Sequence, residues 1–506
     1  EFVASPCGGC DPQCVGSVWG PPVEPFRIGT GLALTRSGEL TLQREPRTQR
    51  FVWVPNTDEG TLSKVDAERA VEVARYRTPG GRPVRVAVDH RGDAWVLDRP
   101  NAAAARLSKF AWEEERCTDD SGDGVQTSHA PEQLLEHDEC RVLDVQVGEP
   151  GDAASALAID GAMAPDSELA GNAWVGLSAA QRLLVFDGQS GQQLTAAEMP
   201  GFAAYSGSFD SAGQLWLIDR SGQLARVDPR TEPPDVERFS TELGCYTLES
   251  LCIAPDGVLL FAGFGCENVA RFEPALRRWS DVRVPGLLSP RGVARAAAAY
   301  WVVYTSGQLA KLDAEALALD AARELASDGM LPYESVALAA DSSERLWIVS
   351  TQGGPGGRGL LTRFDPAAGQ VTAQVPVGFG PRGGGDLTGL GLGLPFVREA
   401  TARHVFSRGC SGSGDATGTR WKAVHVIAEV GVGGAIDVAV RWAAAESELA
   451  AASFSELGSF PDRDEFPLEL PEAGALELRL TLRTAYATGA PRLARAGVEW
   501  TCSGPQ

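Results

Sequence analysis

The stretch VRVAVDHRGDAWVLD (residues 84–98) joins an apolar strand, a polar turn containing Asp and Gly, and a second apolar strand built around Trp95. The same phrase returns as GSFDSAGQLWLID (207–219) and VALAADSSERLWIVS (336–350). A unit this short cannot bury both faces of its own small sheet, so successive copies must stack on one another. With Trp53 as the first marker, equivalent positions fall at Trp95, Trp174, Trp216, Leu260, Trp301 and Trp347. All but one of the intervals are about 40–46 residues, the length of a four-stranded propeller blade. The long interval, between Trp95 and Trp174, holds an insertion at 112–140. The expected fold is therefore all-β: a seven-bladed β-propeller.

Inner strands are expected just before six markers, at 84–88, 156–159, 205–209, 251–254, 292–296 and 336–339. Before Trp53 the sequence LTLQREPRTQR does not read as a buried strand, whereas GGGDLTGLGLG after the last repeat offers one at 386–392. The expectation is that this segment completes the first blade, zipping the ring shut and leaving no unpaired inner edge. Loops between blades, and loops joining second to third strands, then share one upper face that both chain ends leave free. Beyond residue 393 the segments TRWKAVHVIAEV, AIDVAVRWAA, ALELRLTLRTA and AGVEWTC lack helix periodicity and read as a β-sandwich. The expected domains are a Cys-containing arm (1–50), the propeller (51–393) and the sandwich (394–506).

The composition, 43% hydrophobic with 12 Trp and 58 Gly, is that of a folded chain. A net charge of −22 disfavours nucleic acid and anionic membrane as nonspecific partners. No apolar run is long enough to span a bilayer. The start at Glu1-Phe2, with no leader, reads as a mature or trimmed chain. Ten Cys fall in local groups, which suggests disulfides made in an oxidising compartment. The expected pairs are Cys117–Cys140, Cys245–Cys266 and Cys410–Cys502; partners for Cys7, Cys10, Cys14 and Cys252 stay open. The chain is accordingly expected to be secreted, periplasmic or on the outer surface of a bacterium.

The phrases FVWVPNTDEGTLSKVDAERAVEVARY, VAVDHRGDAWVLD and LLTRFDPAAGQVTAQVPVG resemble the secreted bacterial propellers of the NHL, YVTN and virginiamycin-B-lyase-like group. The resemblance covers residues 51–392 and implies the propeller fold without fixing an activity, because that ring hosts enzymes, adhesins and scaffolds alike. The C-terminal sandwich and the acidic insertion resemble those of myxobacterial surface proteins.

In the insertion, CTDDSGDGVQTS places Asp119, Ser121, Asp123 and the Val125 carbonyl at alternate positions around Gly124, the first half of a calcium loop. Position twelve is Ala130, so Glu132, or else Asp138 or Glu139, is expected to complete a structural Ca2+ site. None of the five His falls on an upper-face loop, which counts against a lyase with a histidine base. The chain contains no Gly-x-Ser-x-Gly elbow, phosphate loop or His-Glu-x-x-His. Upper-face loops carry Asn56, Asp98, Arg99, Asn101, Asp219, Arg220, Glu267, Asn268, Tyr304 and Tyr333, side chains suited to a polysaccharide or protein ligand. The expected function is binding or adhesion at the cell surface. Alternatives are a structural subunit of a homo-oligomeric surface assembly, reached through the N-terminal arm, and a propeller lyase or hydrolase using carboxylates.

Overall fold

A computed structural model describes the chain apart from residues 1–2, 5–14, 21–26, 29–30, 36–38, 43–49, 90, 161–170, 211–212, 230, 232, 242–246, 255–256, 264–267, 285, 314–318, 325–333, 383, 390–398, 408–418, 431–433, 485–489 and 503–506. It divides into two compact units, Arg47–Gly393 and a second made of Glu1–Pro46 with Leu394–Gln506.

In Arg47–Gly393 almost every described element is a strand, gathered into small antiparallel sheets that follow one another along the chain. The second sheet is typical: Pro83–Val88 pairs with Ala94–Asp98, which pairs with Ala105–Phe110, which pairs with Arg141–Val147. Five further sheets repeat this four-stranded order, and Phe51–Asn56, Thr61–Asp66 and Val71–Arg77 form a three-stranded one. Burial falls from the inside outward. Second strands such as Ala94–Asp98, Ala173–Leu177, Leu215–Asp219 and Leu346–Ser350 are buried along their whole length. Last strands such as Gln193–Glu198, Asp235–Ser240 and Gln370–Pro376 are largely exposed or half-buried. Second strands read as continuous apolar runs because a neighbouring sheet covers each of their faces. First strands pack on the first strands of the next sheet around the unit. This is the arrangement of a β-propeller.

The recurring phrase has a physical basis. In four sheets the Asp of the first turn uses one oxygen to accept the indole N–H of the Trp on the second strand. The distances are 3.2 Å for Asp89–Trp95, 2.9 Å for Asp160–Trp174, 2.7 Å for Asp210–Trp216 and 2.8 Å for Asp341–Trp347. The other oxygen accepts turn backbone N–H groups, those of Arg91 and Asp93, Asn172, Gln214, or Ser343 and Arg345. One carboxylate thus satisfies a buried indole and fixes the hairpin that presents it. Trp301 donates instead to the Ala296 carbonyl, at 3.2 Å. Trp53 Nε1 is buried without a hydrogen-bond partner among the described residues.

Ring closure differs from expectation in its backbone. Gly385 makes only an isolated parallel bridge to Val86, Leu387–Gly389 are bends rather than a strand, and 390–392 lie outside the described residues. Asp386 Oδ1 accepts the N–H groups of Thr388 (3.2 Å) and Gly389 (2.7 Å), and Gly385 and Gly389 have φ of 101° and 75°. A local Asx turn between left-handed glycines competes with ladder pairing. The segment nonetheless ties three sheets together. The Leu387 carbonyl accepts the Trp53 N–H at 3.0 Å, the Gly384 carbonyl accepts the Val86 N–H at 3.2 Å, and Thr388 Oγ1 donates to the Ala340 carbonyl at 2.7 Å. Leu387 is fully buried in one cluster with Trp53 and Val86, and Ala339, Trp347 and Val349 of the last sheet join it.

The insertion is not a free hairpin. Cys117 and Cys140 are disulfide-bonded. Ser128 Oγ accepts the Arg75 N–H (3.2 Å) from the outer strand of the first sheet, and Lys64 Nζ donates to the Trp112 carbonyl (2.8 Å). It therefore covers an edge that would otherwise be open to pairing. Burial there pushes the Lys64 ammonium down to about 8.

In the other unit the described N-terminal stretches join its sheets: Val15–Gly20 pairs with Arg492–Cys502, and Arg27–Ile28 with Glu399–Ser407. Arg492–Cys502 also pairs with Thr419–Glu429, and the latter with Glu465–Pro467. A second sheet is built on Glu399–Ser407, Ala475–Thr484, Gly434–Ala443 and Ser455–Phe460. Trp421, Val424 and Val498 of one sheet share a core with Ile436, Val438, Leu478 and Leu480 of the other.

Candidate functional site

The upper-face loops of Arg47–Gly393 surround a cavity of ≈ 1070 Å³ to which every sheet of the unit contributes. Arginine dominates the charge of its described lining. Arg82, Arg85, Arg99, Arg220, Arg291 and Arg382 line it, against Asp219, Glu249 and Glu334.

Two regions of the wall differ. On one side the Glu249 carboxylate, nearly buried, accepts the Tyr205 hydroxyl (2.9 Å) and Arg220 Nη2 (3.0 Å), with Arg291 Nη1 at 3.8 Å. Here charges are compensated. On the other side Arg85, on the first strand of the second sheet, projects into the mouth and stacks on the Tyr205 ring at 4.4 Å. Its Nη groups donate to the carbonyls of Val84 and Tyr205, each at 3.0 Å, and Nε is buried without a partner. Gly384 makes room for it: a Cβ there would lie 2.4 Å from Arg85 Nη1. Arg99 donates to Ser155 Oγ at 2.9 Å, and Arg82 donates to Asn101. Among the described residues none of these three has a carboxylate partner. Burial, followed by repulsion from Arg85 and Arg82, holds the Arg99 guanidinium below its usual range.

The residues singled out from sequence divide accordingly. Arg99, Asp219 and Arg220 line the cavity. Asp219 is nevertheless committed to its own turn, accepting from Ser221 and Gln223. Asn101 is exposed and orients Arg82. Asn56 is fully buried and bonds Thr61 and Ser63, a structural role. Asn268 bonds Asp281 at 2.5 Å on a sheet flank. Tyr304 is a core residue whose buried hydroxyl has no partner among the described residues, and burial pushes that hydroxyl's pKa up. Glu267, Tyr333, Cys245, Cys266 and Cys410 lie outside the described residues, as do Cys7, Cys10, Cys14 and the side chain of Cys502. Cys252 is a free thiol that burial pushes up to about 12. Sequence reading missed Arg85, Tyr205, Glu249 and Arg291. The available signal was a charged or aromatic side chain on an otherwise apolar innermost strand, as at Arg85 in VRVAV (residues 84–88).

Asp98 lies in the interior rather than on the cavity wall. It is fully buried and accepts Thr78 Oγ1 (2.7 Å) and the Arg82 N–H (2.9 Å), joining the first two sheets. Burial pushes its carboxyl up to about 6. The folded state therefore keeps a proton that the unfolded chain releases near pH 4, and stability falls as pH rises from about 4 to 6. Asp98→Asn keeps an acceptor and removes the charge. It should flatten that slope and leave the protein more stable at pH 7 by about 1–3 kcal/mol, read from urea midpoints across pH.

In the insertion, Asp119 accepts the N–H groups of Gly122 (2.6 Å) and Gly124 (3.1 Å), and Ser121 approaches Asp123. The acid turned into this loop is Glu139, which accepts the N–H groups of Asp120 (3.1 Å) and Gln126 (2.6 Å). Glu132 is exposed and Val125 half-buried, both outside this set of bonds. As arranged, Asp119 and Glu139 serve the loop's own backbone. Among the described residues no group of three or more His, Cys, Asp or Glu is placed to hold a metal ion.

No protein-family model matches the sequence, and no curated protein does. Solved structures similar to the chain include virginiamycin B lyase from Staphylococcus aureus, at 14% identity and TM-score 0.42 over 63% of this chain and 90% of that one. A streptogramin B lyase aligns at 11% identity and TM-score 0.43, over 64% and 93%. The dihydro-heme d1 dehydrogenase NirN in complex with DHE aligns at 11% identity and TM-score 0.45, over 71% and 78%. Similarity this low says nothing of what the chain does, and the class of the protein, a β-propeller, stands on its own sheets.

Proposed function

We propose that this is an exported binding protein of the cell surface, and that the upper mouth of its propeller holds the ligand. The reading takes the ring as seven-bladed and the two sheets of the second unit as a β-sandwich. The observation that carries it is the ≈ 1070 Å³ cavity into which polar side chains converge from every sheet of the ring. The Cys117–Cys140 bond supports an oxidising compartment. Two features favour binding over turnover: Glu249 is engaged by Tyr205 and Arg220, and Asp219 by its own turn, so each is spent on positioning. The pairing of Val15–Gly20 within its own chain weakens the case for an arm that reaches a neighbour.

The test is an array of microbial polysaccharides and peptides probed with labelled protein, alongside Tyr205→Ala and Arg220→Ala. Signals of the wild type should fall at least about tenfold in both variants, as for loss of a stacking or charge-assisted contact. Signals retained by both would move the ligand to another surface.

A further inference from the structure

The chain carries 45 basic against 67 acidic residues, yet the described lining of its mouth holds six arginines against three acids, with Arg220 and Arg291 beside Glu249 and Arg382 beside Asp58. An acidic protein that gathers cations in one concave site does so at the cost of their mutual repulsion. The repulsion is visible at Arg99, whose charge Arg85 and Arg82 disfavour. Independently, Arg85 is 93% buried by its 7% residual exposure, lacks a carboxylate among the described residues, and leaves Nε without a partner. A buried guanidinium is ordinarily neutralised by a paired anion. The other buried arginine among the described residues of the unit, Arg75, follows this rule, with Glu72 at 2.7 Å and Glu59 at 3.2 Å. At the mouth no such anion stands beside Arg85 among the described residues.

The rest of the wall describes the anion's neighbours. The Tyr205 ring lines the mouth, with the Arg85 guanidinium at 4.4 Å and that of Arg220 at 5.1 Å from its centroid. Ser155, Ser178, Thr305 and Thr351 line it too, and their hydroxyls donate within the chain and keep acceptor capacity. We propose that the mouth takes a hydroxylated carboxylate, its carboxyl between Arg85, Arg99 and Arg82 and its carbon skeleton against Tyr205. This rests on the reading of the mouth as the binding site and adds the chemical class of ligand. A planar carboxylate matches the guanidinium fork, and the ring and hydroxyls match a sugar-like body. Such a group comes either from an acidic glycan or from a free hydroxy acid.

The experiment is isothermal titration of the full chain with trigalacturonate, galacturonate, maltotriose and inorganic phosphate. It is repeated with Arg99→Met and Arg85→Met, whose unfolding midpoints are recorded. Trigalacturonate should bind, lose about tenfold or more in affinity in Arg99→Met, and weaken as salt is raised. Equal binding of the monomer supports a free hydroxy acid as the source; binding of the trimer alone supports a glycan. Arg99→Met carries the test if Arg85→Met does not fold. Maltotriose binding as tightly, indifferent to both arginine changes but lost in Tyr205→Ala, would overturn the carboxylate while keeping the mouth. Phosphate displacing trigalacturonate at lower concentration would overturn the choice of anion. Trigalacturonate binding unchanged in every mouth variant would overturn both inference and site, and no binding by any acid would overturn the inference.

Discussion

Asp341→Ala is expected to destabilise the propeller by about 3 kcal/mol or more, seen as a fall in the urea midpoint followed by tryptophan fluorescence. The side chain is almost completely buried and serves four partners at once. It accepts the Trp347 indole at 2.8 Å, the N–H groups of Ser343 and Arg345, and the Arg345 guanidinium at 2.8 Å. Alanine leaves the indole N–H without an acceptor in a site closed to water, frees the hairpin and unpairs part of Arg345. Asp341→Asn keeps an acceptor oxygen and should lose roughly half as much. Equal losses for the two variants would mean that the negative charge, rather than the acceptor geometry, holds the hairpin.

Leu387→Ala is expected to cost about 2–5 kcal/mol, the range for truncating a fully buried leucine. Its consequence should reach further than the cavity. Leu387 lies where the first and last sheets share a core, and its neighbours Gly384 and Gly385 line the mouth beside Arg85. Loosening this segment should therefore weaken any mouth ligand along with the fold. Ala339→Gly, in the same cluster but on a regular strand, should lower stability without a comparable loss of binding.

The repeat was legible because its period and its chemistry coincide. Each Asp-turn-Trp phrase states both the hairpin and the contact that fixes it, as at Asp210 and Trp216. Closure was legible in place but not in conformation. Sequence reading put residues 386–392 beside Trp53, and Leu387 is there, yet the turn formed by Asp386 with its glycines outcompetes a strand. The site was legible only in part, since polar loop residues look alike in sequence whether they cap a strand or face a ligand. Asp98 and Asn56 proved to be buried joints, whereas Arg99 and Arg220 reach the mouth. Arg85, Arg291 and Tyr205 escaped notice because they sit on strands, where polarity is easily taken for an edge position. The insertion's Asp119, Ser121 and Asp123 follow a ligand spacing, but spacing does not show that Asp119 already serves the Gly122 and Gly124 N–H groups.

The mouth exists only if the two ends of the repeat array meet, and amide hydrogen exchange at Trp53 reports that meeting directly. Its N–H is donated to the Leu387 carbonyl across the closure. The expected result is protection as slow as that of Val96 in the middle of the second sheet, and lost in Leu387→Ala. Exchange of the Trp53 amide within seconds in the intact protein, while Val96 stays protected, would show an open ring and contradict the account.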